Sequence, residues 1–141
     1  MPVDIQTIKT LDFFEGLTYG ELNEFANFLN PMTVKEGDVI IRRGTRAMKF
    51  FVIFSGVFEL SFEKDRSITL DEKGKIMGWS TIVAPYSYTA TATALTDADL
   101  LYISGRDFIL LMQTNNALGD KIMRKIGKIA AERRVFFSGS E

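Results

Sequence analysis

Histidine and cysteine are both missing from the 141-residue sequence. The first absence removes the commonest general base and the commonest metal ligand together. The second excludes disulfides and thiol chemistry and fits a cytoplasmic protein. No enzyme is therefore expected, and neither a catalytic residue nor a metal site is assigned. No apolar run approaches the roughly 20 residues of a membrane helix. The start MPVDIQTIKT has neither a basic segment nor an apolar stretch, so no secretion signal is expected. Net charge is nearly absent too, at −1, with 25% charged residues, the balance of a soluble globular domain. What is plentiful is apolar material: 46% of the chain, with twelve phenylalanines, enough for the core of one domain.

The order of patterns is helix, strands, helix. Residues 4–30 read as helical, with Leu22, Phe25, Ala26 and Leu29 forming an amphipathic stripe and Pro31 stopping it. Thr18 and Glu21 have the spacing of a capping box. From 31 to 104 the chain turns to short β-rich runs at roughly 8–12-residue spacing, punctuated by glycine, which predicts an antiparallel sandwich or roll. KFFVIFSGVFELSFE reads as two apolar strands in a hairpin broken at Ser55–Gly56. From 105 to 134 helical patterning returns, with Ser104 as a cap. Its long final segment carries Leu118, Ile122, Ile126 and Ile129 on one narrow stripe, as in a helix–helix seam. Residues 135–141 are expected to form a flexible tail.

The stretch GWSTIVAPYSYTATATA, residues 78–94, has the parts of a ligand cradle: a glycine, the only tryptophan, and threonine alternating with alanine. With Glu36–Gly37 before VIIRRG, Gly44, Gly56 within FFVIFSGVFEL, and Gly74 and Gly78 about a short strand, the chain resembles the cyclic-nucleotide-binding domains of the catabolite-activator and protein-kinase-regulatory-subunit superfamily. The resemblance spans about Leu11 to Arg134. It implies a mainly β fold, a double-stranded β-helix or jelly-roll β-roll with N-terminal helices and a long C-terminal helix, and a regulatory role in signal transduction. In that family a glutamate follows the glycine matching Gly78 and binds the ribose, and an arginine ten residues after the glycine forks onto the cyclic phosphate. Those positions hold Trp79 and Tyr88 here. No lysine or arginine occurs from Ile76 through Gly105, and no glutamate from Lys73 through Ala131. Thr89 matches the small hydroxyl residue that follows the family's arginine, and Ser80 and Thr81 could present N–H groups at a helix start. The cassette is degenerate and lacks a local cation.

The candidate ligand-binding residues are accordingly Gly78, Trp79, Ser80, Thr81, Tyr88 and Thr89. Trp79 could stack on a planar ligand or fill the vacated pocket. Tyr88 could bind a ligand or bond a neighbour, and Thr89, Thr91 and Thr93 could line a site or simply form the solvated face of a strand. Arg42, Arg43 and Arg46 form a basic turn. The expected function is a non-catalytic sensor domain that takes a small effector other than ordinary cAMP or cGMP, or binds these weakly; the alternative is a ligand-free dimeric scaffold. No cofactor is assigned. A cupin-like metal site on such a roll lacks its histidines. The expected partners are a second copy, paired through 118–134, and an unidentified protein. The basic residues beside the stripe suit the exposed sides of a dimer helix, with Gly127 allowing close approach. The chain ends before the helix-turn-helix that regulators of the family carry, so direct sequence-specific DNA binding is not expected.

Overall fold

Strand alternation along β3 (Lys49–Ser55) divides the interior in two. Phe50 and Val52 enter one apolar cluster and Phe51 and Ile53 the other, and none of the four is more than 2% exposed. The unbroken apolar run FFVIF is thus a strand buried on both faces. A computed structural model describes residues 3–138, with side chains placed for 3–133. Helix α1 (Ile5–Ile8), a 3-10 turn (Asp12–Phe14) and α2 (Tyr19–Ala26) precede the strands. The other strands are β1 (Asn30–Val34), β2 (Val39–Ile41), β4 (Phe58–Ser61), β5 (Ser67–Leu70), β6 (Ile76–Met77), β7 (Thr91–Ala94) and β8 (Ala98–Ser104). Helices α3 (Gly105–Thr114) and α4 (Asn116–Ser138) follow them.

The strands form two antiparallel four-stranded sheets, β1-β8-β3-β6 and β2-β7-β4-β5, the expected β-roll. Pro31 falls inside β1, which is an edge strand, where a missing N–H is tolerated. The hairpin expected at Ser55–Gly56 is not one. β3 pairs with β6 and β8, whereas β4 pairs with β5 and β7, so the chain crosses from one sheet to the other at Gly56. The physical reason is burial: an apolar strand covered on both faces must be sandwiched, and its sequel supplies the second sheet.

The helices at both ends share one core on the first sheet. Phe13, Phe14, Phe25, Phe50 and Phe108 meet there ring to ring, with Phe14 and Phe25 edge-on at 5.0 Å and Phe50 and Phe108 at 4.7 Å. The α4 stripe completes it: Leu118 and Ile122 are 0% exposed and Ile126 3%, with Ile129 packed beside them. The seam predicted for a homodimer through 118–134 is therefore filled from within the monomer, because α4 folds back onto α2 and α3. Among the described residues of the chain, nothing lies within 4 Å of where a Gly127 Cβ would be. The tight crossing is at Gly119, where a Cβ would lie 3.0 Å from the Met112 carbonyl oxygen. α4 runs to Ser138, into the segment expected as tail; residues 139–141 of that tail lie outside the described residues.

A part-buried ion pair ties α4 to α2. The capping box is formed: Thr18 N–H donates to Glu21 Oε1 at 2.8 Å and Glu21 N–H to Thr18 Oγ1 at 3.2 Å. Lys121 Nζ donates to the same Oε1 at 2.7 Å and to the Gly16 carbonyl at 3.3 Å. The Lys121 hydrogen bond, then the Thr18 N–H, hold the Glu21 carboxyl below its ordinary 4.5. A carboxyl with a lowered folded-state pKa contributes stability that is present above the unfolded value and lost as pH falls through the folded one. Lys121→Met is thus expected to melt below the parent at pH 7, with the gap narrowing as pH drops under 4.5. Melting curves at pH 7, 5 and 3 check it; a gap independent of pH would contradict the assignment.

Candidate functional site

Gly78 opens the cradle segment at φ 89°, and a Cβ there would sit 2.8 Å from the Lys49 carbonyl oxygen. Only glycine lets the chain pass that close in that conformation. A single 3-10 turn, Trp79–Thr81, follows, and Thr81 donates to the Gly78 carbonyl through both N–H and Oγ1, at 3.2 and 3.0 Å. Tyr88 comes back against this turn and is a brace. Its hydroxyl donates to the Lys49 carbonyl at 2.7 Å and accepts from the Lys49 N–H at 3.0 Å, and burial pushes its pKa up. Of the threonine alternation, Thr91 and Thr93 lie on the outer, half-buried face while Ala92 and Ala94 are buried inside the roll.

Between these parts lies a cavity of ≈ 30 Å³. Ile41, Leu60, Phe62 and Met77 form its apolar wall, and Gly78, Trp79, Ser80, Tyr88 and Thr89 its other side. Five of the six expected site residues thus line the cavity beside Ala90, with Thr89 exposed at the surface. Thr81 does not line it; it is buried against the start of α3, 3.4 Å from where a Gly105 Cβ would be. A space of this size takes a water or two, at most about a tenth of an ordinary small-ligand pocket of ~300–1,000 Å³. The basic turn Arg42, Arg43 and Arg46 is exposed and apart from the cavity.

The missing cation is present, and it comes from the far end of the chain. Arg133, on α4, lines the cavity at 7% exposure. Its Nη1 donates to the Ile76 carbonyl at 2.8 Å, and its guanidinium lies 5.2 Å from the centre of the Trp79 ring. Burial lowers its pKa to about 10, against a smaller upward pull from Glu132, so it stays cationic at neutral pH. The cassette stretch itself supplies no cation; this one reaches the cavity from α4. A signal was available: Arg133 follows Ile129 by four, continuing the buried stripe Leu118, Ile122, Ile126, Ile129. Trp79 lies on the cavity wall, half-buried, with the guanidinium over its ring.

Arg133 also lines a larger space of ≈ 540 Å³. Lys75, Lys125 and Lys128 face it together with Asp12, Glu15 and Glu132, charges that answer one another. Burial lowers the pKa of Lys125, and Glu15 and Asp12 offset part of that shift. Among the described residues no group of three or more carboxylates is placed to hold a metal ion. The cavity beside Trp79 is lined by the hydroxyl-bearing Ser80, Tyr88 and Thr89 and by one guanidinium.

Residues 31–115 match the family of the cyclic nucleotide-binding domain. A cyclic nucleotide-gated potassium channel of Rhizobium etli is 28% identical over 129 residues, 92% of this chain and 35% of the channel. A cGMP-dependent protein kinase of Toxoplasma gondii is 30% identical over 79 residues, 56% of this chain and 8% of the kinase. The chain thus spans about a third of the channel and a small part of the kinase. Among solved structures, a protein of Geobacter metallireducens, named as a candidate cyclic nucleotide-binding protein, superposes with a TM-score of 0.83 at 23% identity, covering 93% of this chain and 98% of that one. The regulatory subunit of a cAMP-independent protein kinase A from Trypanosoma brucei gives 0.78 at 20% identity, over 90% and 44% of the two chains. A variant of that subunit with three substitutions, one replacing threonine by arginine, has cAMP bound. With the roll, the flanking helices and the matched segment in agreement, the chain belongs to the cyclic nucleotide-binding domain family.

Proposed function

We propose that this is a non-catalytic regulatory domain whose roll pocket rejects cAMP and cGMP and responds to a smaller ligand. The observation that carries the reading is the ≈ 30 Å³ cavity, walled by Trp79 and Tyr88 where its family places a ribose-binding glutamate and a phosphate-binding arginine. Tyr88 has no O–H donor to spare, since its single proton goes to the Lys49 carbonyl. Without the glutamate and the arginine, two charge-assisted hydrogen bonds to the nucleotide cannot form. Each is worth about 1.5–3 kcal/mol, roughly tenfold to hundredfold in affinity. The cAMP-independent subunit of Trypanosoma brucei is a neighbour on the same fold, and its cAMP-bound variant carries a new arginine. Calorimetric titration with cAMP and cGMP is expected to give no saturation at tens of micromolar. A low-micromolar dissociation constant for either would end this reading.

The competing reading is a ligand-free scaffold, and the tightness of the cavity favours it. A dimer in that reading would need a surface other than the buried stripe of α4. Response of the pocket to a small ligand separates the two.

A further inference from the structure

We propose that the free edge of β5 is a docking surface for a second copy of this chain, the two β5 strands pairing antiparallel about a two-fold axis at Thr69. The inference is independent of what the roll pocket binds. Four strands lie at sheet edges: β1, β6, β2 and β5. β1 carries Pro31, β2 has a register break between Val39 and Ile41, and β6 is two residues long. Each of those features blunts an edge against another chain. β5 has neither proline nor bulge, and its four residues pair with β4 in unbroken register. The hydrogen-bond phase shows which of its groups face outward. Phe62 N–H donates to the Arg66 carbonyl at 2.7 Å, and the same register runs on through Leu60–Ile68 and Phe58–Leu70. Antiparallel ladders bond at alternate pairs, so Arg66, Ile68 and Leu70 turn their backbone groups towards β4. Ser67 and Thr69 turn theirs away. Both residues are exposed, and among the described residues nothing bonds to those outward groups.

The sequence about Thr69 is complementary to its own reverse, which is what selects a second copy as the occupant. With the axis at Thr69, that residue meets the partner's Thr69, Ile68 meets the partner's Leu70, and Arg66 meets the partner's Glu72. These are a hydroxyl pair, an apolar pair and a pair of opposite charges, each favourable across antiparallel strands. Thr69 and its symmetry mate then exchange both backbone hydrogen bonds, because its groups are the outward ones. Other registers are worse. An axis at Ile68 sets Asp65 against the partner's Asp71, and an axis at Leu70 sets Ile68 against the partner's Glu72. A slip of one residue brings inward groups opposite outward ones. The surroundings agree with pairing of like with like. β5 borders the ≈ 540 Å³ space beside α4, whose lysines Lys75, Lys125 and Lys128 are matched by Asp12, Glu15 and Glu132. A two-fold interface presents one surface to itself, which a surface of both signs tolerates and a surface of one sign does not.

Sedimentation equilibrium of the full chain tests this. So short a strand pair makes a small interface, so a reversible dimer with a dissociation constant on the order of tens of micromolar is expected. Thr69→Lys sets like charges on the axis and should weaken the dimer about tenfold or more. Thr69→Pro removes the outward N–H while sparing the bonds to β4, and should do the same. The lysine variant, at an exposed position, carries the test if the proline variant fails to fold, which circular dichroism reports. Arg66→Glu should also loosen the pair, and Arg66→Glu/Glu72→Arg should restore it, because the opposite charges have only changed places. A parent that stays monomeric up to about 200 µM overturns the proposal, being then some tenfold short of the expected affinity. So does a dimer that a folded Thr69→Lys leaves unchanged, since the chains then meet elsewhere. A double reversal no tighter than Arg66→Glu alone overturns the register.

Discussion

The double variant Ile122→Glu/Ile126→Glu is expected to unfold, rather than to yield a folded monomer from a dimer. Ile122 is 0% and Ile126 3% exposed, in the same cluster as Phe13, Phe25, Phe50 and Phe108. Removing a buried isoleucine side chain costs about 2–5 kcal/mol before any charge is added. Each glutamate would then desolvate a carboxylate, or take up a proton to avoid it. Lys121, the sequence neighbour of Ile122, is already held by Glu21 and the Gly16 carbonyl. Two such losses, about 4–10 kcal/mol before the cost of the charges, consume most of the ~5–15 kcal/mol that a domain has in hand. Far-UV circular dichroism and urea titration check this. A cooperative transition within about 1 kcal/mol of the parent would place the stripe at a surface and revive the dimer seam.

That variant also marks what periodicity can and cannot tell. The spacing of Leu118, Ile122, Ile126 and Ile129 identifies the apolar face of α4 correctly, yet it is silent on what covers that face. A second α4 and the chain's own α2 and α3 present similar apolar surfaces, and the choice lies in the path of the connecting loops. The same limit explains Ser55–Gly56. Apolar runs around a glycine signal two strands and a turn, but pairing depends on β6, β7 and β8, which come later in the chain. Local chemistry was legible where it is local: the Thr18–Glu21 capping box and the Ser104 cap both form. Gly78 likewise takes the special backbone its position requires.

The candidate site divides along the same line. Five of its six expected residues line the cavity, because all six belong to one short stretch on one side of the roll. Arg133 was missed because it approaches from 55 positions beyond Gly78, on a helix whose charges read as a solvated rim. Tyr88 shows the converse. Its identity left open a bond to a ligand or to a neighbour, and the Lys49 backbone takes its donor and one acceptor position.

Gly56→Ala should be the most damaging single-methyl change in the roll. The residue sits at φ 104°, in the region that disfavours a side chain. Its added Cβ would lie 2.3 Å from Ala98 Cβ and 2.9 Å from Ala98 Cα, at the start of β8. Neither neighbour is the free end of a flexible chain, so backbone must move. The turn is also bound there: Val57 N–H donates to Thr96 Oγ1 at 3.1 Å, and Leu95 N–H to the Val57 carbonyl at 2.8 Å. Shifting it disturbs the crossing between the sheets and the β8 register with β1 and β3. Backbone strain of about 1–3 kcal/mol and overpacking of about 1–3 kcal/mol predict a loss of roughly 2–6 kcal/mol. Gly37→Ala is the internal control, since Gly37 has φ 91° and nothing within 4 Å of its would-be Cβ. It should show the cost of the strain alone. Urea denaturation of the pair isolates the cost of the close approach, and equal losses would mean that the Gly56 turn does not press on Ala98.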